Sequence, residues 1–232
     1  ADQATHLRSV RRRVASAAVS GDFHFFAADV AGYALATGLA VLLYLGPAAM
    51  LARLLAALRP ARDWRGLAPA LAFAFLPLLD AVAIRFGSAW AGAGLRVALL
   101  IAAALWARAF IPRASAVAAA GIGVWWLYLC AMYVDVDYHG ALYQSVTALD
   151  LVKHAAVVRE IGLGGLPMAD PFFARPQAAG YYHYFYGGAA VIDLLGGRLV
   201  DARMAFAGAA FACGIAFAGL LRALVVEFVH VG

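Results

Sequence analysis

Residues 26–52 read FAADVAGYALATGLAVLLYLGPAAMLA, and the fold class follows from them. The hydrocarbon core of a bilayer is about 30 Å thick and takes about 20 apolar helical residues to cross. This run is longer than that and holds a single charged residue, Asp29. Gly46-Pro47 interrupts it, which predicts a kink rather than an end, because neighbouring helices can satisfy the backbone groups that proline frees. Further apolar runs follow at 66–84, 93–111, 115–134, 181–196 and 204–229. The expected fold is an all-α polytopic membrane bundle of about six transmembrane helices. Its segments are a polar, basic stretch at 1–22, helices one to four within 23–134, an extracytoplasmic loop at 135–180, and helices five and six within 181–232.

Composition supports this reading. Of the 232 residues, 66% are hydrophobic and 13% charged, and the mean hydropathy is +0.83. Soluble domains carry about 25% charged residues, so lipid must cover much of this surface. The net charge of +5 comes from arginines that cluster at the ends of the apolar runs. That placement signals topology and headgroup anchoring rather than nucleic-acid binding, and no nucleic-acid partner is expected. With six crossings, the arginine-bearing loops at 59–65, 108–113 and 197–203 share one face, expected to be cytoplasmic. Arg85 and Arg96 are read as belonging to the short loop opposite. Cys130 and Cys213 lie inside apolar runs and are read as small core residues. Asp80 sits deep in the second run, where an ionisable group is costly. It is read as paired inside the bundle while Arg85 snorkels to the surface. Asp193 lies near a helix end, where interfacial placement suffices.

The chemistry-bearing residues concentrate in one segment. Asp135, Asp137, Asp150, Glu160 and Asp170 are five of the 13 acidic residues, and His139, His154 and His183 are three of the six histidines. The stretch SVTALDLVKHAAVVREIG predicts an amphipathic helix over about 145–161, lying along the membrane surface. Tyr143, Thr147, Asp150 and His154 form one polar stripe at spacings of four, three and four, and Gly162 is the expected C-terminal cap. A carboxylate beside an imidazole can accept a proton from a hydroxyl, help hold a divalent metal, or be a plain helix-surface pair. Pro167, Pro171 and Pro176 then enforce an extended path. Tyr181, Tyr182, His183, Tyr184, Phe185 and Tyr186 form an aromatic cluster, read as an interfacial belt or as a wall for a sugar or lipid headgroup. The glycines at 162, 164 and 165 lack the strand context and Lys-Ser/Thr of a nucleotide-binding loop.

An apolar helix is followed by DVDYH at 135–139, DLVKHAAVVREIGLGGLPMADPFF at 150–173 and YYHYFYGG at 181–188. This order resembles the first large extracytoplasmic loop of GT-C-type membrane glycosyltransferases, nearest to bacterial relatives of the protein mannosyltransferase and aminoarabinose transferase group. LYLGPAAMLARLL at 43–55 is similar to the first helix of such proteins. The resemblance covers about 115–196, and 40–112 more loosely, and it implies the N-terminal part of a transferase. It implies a bacterial inner-membrane enzyme that moves a sugar from a polyprenyl-phosphate donor to an acceptor on the outer face. Asp150, Asp135 or Asp137 would be catalytic with His154 as neighbour. Arg159, Asp170, Arg175, Tyr182 and His183 would bind substrate. The cofactor is left open, a divalent metal being one reading. The other reading of the chain is a non-catalytic accessory subunit that packs against further membrane subunits through its Ala/Gly-rich faces.

Overall fold

The computed structural model describes residues 23–58, 64–106, 116–138, 141–143, 150–172 and 183–229. Helices dominate: α1 (Ala27–Leu58), α2 (Trp64–Phe86), α3 (Ala89–Trp106), α4 (Ala116–Tyr133), α5 (Leu151–Gly164), α6 (His183–Gly196) and α7 (Ala202–Val229). Five of them, α1 to α4 and α7, are long and apolar enough to cross a membrane, the make-up of a multi-pass membrane protein. A small antiparallel sheet, not expected from the sequence, joins β1 (Phe23–Phe25), β2 (Val136–Tyr138) and β3 (Ala141–Tyr143) in that order. Phe23 pairs with Tyr138, and Val136 with Tyr143.

The apolar run at 181–196 does not make a sixth span. Its helix, α6, has 14 residues. At 1.5 Å per residue that is about 21 Å, short of the hydrocarbon thickness. Its middle is buried in the bundle, with Ala189, Ala190, Val191 and Ile192 all essentially inaccessible. The two elements flanking this region share a face. Arg203, in the first turn of α7, reaches Asp135 just past α4 at 3.0 Å and Asp29 in the first turn of α1 at 3.6 Å. The β1–β2 pairing holds the same two ends together. The start of α1, the end of α4 and the start of α7 therefore lie on one face, here called the sheet face. This corrects the six-crossing topology. Residues 197–203, with Arg198 and Arg203, lie opposite the face where α1 ends at Leu58 and α3 ends at Trp106, not on it as expected.

The kink-and-rescue expectation at Pro47 has a specific partner. Proline removes the N–H that the Leu43 carbonyl would bond four residues on. That carbonyl instead accepts from Arg96 Nη1 on α3 at 2.9 Å. The same guanidinium grips Asp80 of α2 in a two-point pair, Nε to Oδ1 at 2.7 Å and Nη2 to Oδ2 at 2.6 Å. Its Cζ lies 4.4 Å from the ring centroid of Tyr44. Asp80 is indeed paired inside the bundle, but Arg96 is no loop residue. It is 1% exposed and Asp80 is 0%, because α3 begins at Ala89 and carries Arg96 two turns in.

The core is built from small side chains, which let helices approach closely. Ala36 and Ala40 of α1, Ala205, Ala209 and Ala212 of α7, and Val157, Val158 and Ile161 of α5 belong to one cluster. A second cluster seats α4 against α1 and α7 through Tyr33, Leu129, Cys130 and Phe211, with Tyr33 stacked on Trp126 at 5.4 Å. Cys130 is buried as expected, whereas Cys213 faces outward from α7.

Candidate functional site

Residues Leu151–Gly164 of the stretch expected to form the amphipathic helix are helical, as α5, and residues 144–149 at its expected start lie outside the described residues. It runs to Gly164 and stops where Gly165 takes φ 76° and returns its N–H to the Ile161 carbonyl at 3.0 Å. A side chain at that positive φ would be strained, so Gly165 is the cap, three residues beyond Gly162.

The expected polar stripe of Asp150 and His154 is not kept on α5. Leu151, Val157, Val158 and Ile161 are buried, and His154 falls on the same face, three residues after Leu151 and four before Val158. Its ring is turned inward. Nδ1 lies 2.7 Å from the Tyr186 hydroxyl of α6, and the ring stacks on Phe206 of α7 at 4.6 Å and 4°. Burial lowers the His154 pKa against the opposing pull of Asp150, which favours a neutral ring. His154 thus ties α5 to α6 and α7 and does not share an open face with Asp150. Asp150 itself stands exposed at the start of α5, with no side-chain capping bond.

The outer face of α5 lines a groove of about 670 Å³. Val152, Ala156 and Arg159 form one wall. Asp193 of α6, Arg198 in the 3-10 turn Gly197–Leu199, and Asp201 with Arg203 at the head of α7 form the other. This volume is in the range of small-molecule sites. Three guanidinium groups border it. Arg203 is heavily engaged, by Asp135 at 3.0 Å, Asp201 at 3.4 Å and Asp29 at 3.6 Å. Arg159 touches Asp193 at 3.4 Å through one nitrogen. Arg198 has no hydrogen-bond or ion-pair partner among the described residues and is exposed. Asp193, near the end of α6, is buried in the protein. Burial raises its pKa, while Arg159 pulls it down.

The other expected site residues scatter. Asp135 is committed to Arg203. Asp137 sits in the middle of β2, opposite His24 and Leu142. Asp170 accepts the Phe172 N–H at 3.0 Å, a local turn-holding bond. Arg175, Tyr182 and the side chain of His183 lie outside the described residues, as do residues 1–22. Among the described residues no group of three or more His, Cys, Asp or Glu side chains could hold a metal ion. The structure gathers Arg159 with Arg198, Arg203 and Asp193, the last three assigned no site role from sequence. Sequence reading took Arg198 and Arg203 as topology signals because it placed them on the opposite face. No protein-family model, curated protein or solved structure matches this chain.

Proposed function

We propose that the chain belongs to a membrane glycosyltransferase that draws its sugar from a polyprenyl-phosphate carrier bound in the groove between α5 and the head of α7. The observation that carries this reading is the convergence of Arg159, Arg198 and Arg203 on one groove at the sheet face. Guanidinium forks match phosphate oxygens, and Arg198 has no hydrogen-bond or ion-pair partner to give up among the described residues. Exposed Val152, Leu163 and Leu199 lie on the same elements and suit the first carbons of a lipid tail. With the loops at 59–65 and 108–113 cytoplasmic, the groove opens on the outer face of a bacterial inner membrane.

The acceptor hydroxyl attacks the anomeric carbon, the bond to the carrier oxygen breaks, and the phosphate leaves with that electron pair onto the arginines. Asp150 accepts the hydroxyl proton. Its carboxylate is exposed at the end of α5, two residues from Val152 of the groove wall, while Asp135 is held by Arg203 and Asp170 by its own turn. The test is transfer of a radiolabelled sugar from a polyprenyl-phosphate donor by membranes containing the protein. Asp150→Asn should lower the rate by about a hundredfold or more, as loss of a general base does. Arg198→Ala should raise the donor concentration needed. Full transfer by both variants would sink the proposal.

A further inference from the structure

Asp193 is the groove residue that the phosphate reading does not use. Its side chain is 4% exposed, whereas that of Arg159, its partner, is 61% exposed. A carboxylate has about four acceptor positions. Among the described residues this one has a single hydrogen-bond or ion-pair partner, at 3.4 Å. Buried charges are normally paired and further hydrogen-bonded; here neither oxygen is both sealed off and without a partner, so the oxygen that Arg159 does not fill opens on the groove and can accept from its occupant. Space for a donor lies beside it: a Cβ built on Gly162 of α5 would stand 3.8 Å from Asp193 Oδ2 in ordinary contact. The groove that holds the carboxylate also holds Arg159 and Arg198. A ligand that satisfies both needs carries a phosphate for the arginines and a hydroxyl donor for the acid.

We infer that Asp193 is a specificity-determining residue that accepts a hydrogen bond from a ring hydroxyl of a glycosyl phosphate. The inference rests on the phosphate reading of the groove and names which part of the ligand the groove selects. A phospholipid headgroup such as phosphoglycerol offers the same pair of chemistries on an open chain. The preference for a sugar comes from placement: Asp193 and Arg198 stand on different elements, α6 and the turn after it, so a rigid ring bridges them at smaller entropic cost than a flexible glycerol.

Binding of three soluble probes to the purified full chain in detergent micelles tests this by titration calorimetry: inorganic phosphate, glucose 1-phosphate and glycerol 1-phosphate. The wild type should bind glucose 1-phosphate at least about tenfold tighter than inorganic phosphate, the gain expected of one hydrogen bond to a charged group. Asp193→Asn should remove that gain and leave inorganic phosphate bound as tightly or more so, because a like charge is gone. Gly162→Ser keeps the carboxylate but supplies it with an internal hydroxyl, and should narrow the gain. Arg198→Ala should weaken all three probes. A parallel loss of every probe in Asp193→Asn would show that Asp193 acts only by placing Arg159, and would overturn the inference. An equal gain for glycerol 1-phosphate would overturn the sugar assignment in favour of a phospholipid headgroup. If the wild type binds none of the probes, the phosphate reading falls and the inference with it.

Discussion

Arg96 performs two jobs in the interior of the bundle, and substitutions can separate them. Asp80→Leu removes the carboxylate and leaves a guanidinium that cannot shed its proton buried at 1% exposure. Among the described residues it keeps the Leu43 carbonyl and the Tyr44 ring. Removing one member of a buried pair costs about 3–5 kcal/mol. Asp80→Leu/Arg96→Met removes both charges, and replacing a buried pair by apolar residues is often neutral or better. Here the double variant also strips the Leu43 carbonyl of the donor that stands in for the N–H missing at Pro47. A buried carbonyl without a partner costs about 1–3 kcal/mol, so the double variant should recover only part of the loss. Adding Pro47→Ala restores a backbone N–H four residues on, and should return about that same 1–3 kcal/mol in the double variant. In the wild type the gain should be smaller, since the carbonyl is already bonded. Denaturant unfolding in mixed micelles measures the wild type and the four variants. A double variant as stable as the wild type, or an equal gain from Pro47→Ala in both backgrounds, would show that Arg96 does not serve the proline-freed carbonyl.

The five-span topology is open to single-cysteine labelling after replacement of Cys130 and Cys213 by alanine. Ser88→Cys and Leu199→Cys should react from the same side of the membrane and Leu58→Cys from the other, whereas a sixth crossing at 181–196 would separate positions 88 and 199. His154 gives a pH dependence. Its folded pKa lies below the unfolded value, so its contribution to stability is present above about pH 6.5, the unfolded value, and is lost as pH falls through the lowered folded pKa. Acid unfolding below about pH 6.5 should therefore be shallower in His154→Gln, and an unchanged profile would place the titrating group elsewhere.

The spans were legible because hydropathy depends on composition alone, and five of the six apolar runs are helices long enough to cross. The run at 181–196 misled because a sequence cannot distinguish an apolar helix facing lipid from one buried in protein. Here Gly188 settles the matter. A methyl group at that position would overlap the Tyr44 hydroxyl beside Arg96, so α6 lies directly on the buried ion pair. One misplaced crossing then moved Arg198 and Arg203 to the wrong face and hid the groove. His154 was misread for a related reason. Imidazole fits a polar stripe or an aromatic stack equally well, and only Tyr186 and Phe206, 32 and 52 positions away in the chain, choose between them. Asp80 was flagged by its depth, but its partner comes from a different helix, and spacing along one run cannot supply it.

The groove's occupant can be identified by photo-crosslinking in proteoliposomes with a diazirine-bearing polyprenyl phosphate, followed by peptide mapping. Label should concentrate on residues 150–164 and 197–203, be competed by unlabelled carrier, and fall sharply in Arg159→Ala/Arg198→Ala. Label spread along the lipid-facing surface of 116–133, or unaffected by loss of the two arginines, would contradict a phosphate-bearing carrier in this groove.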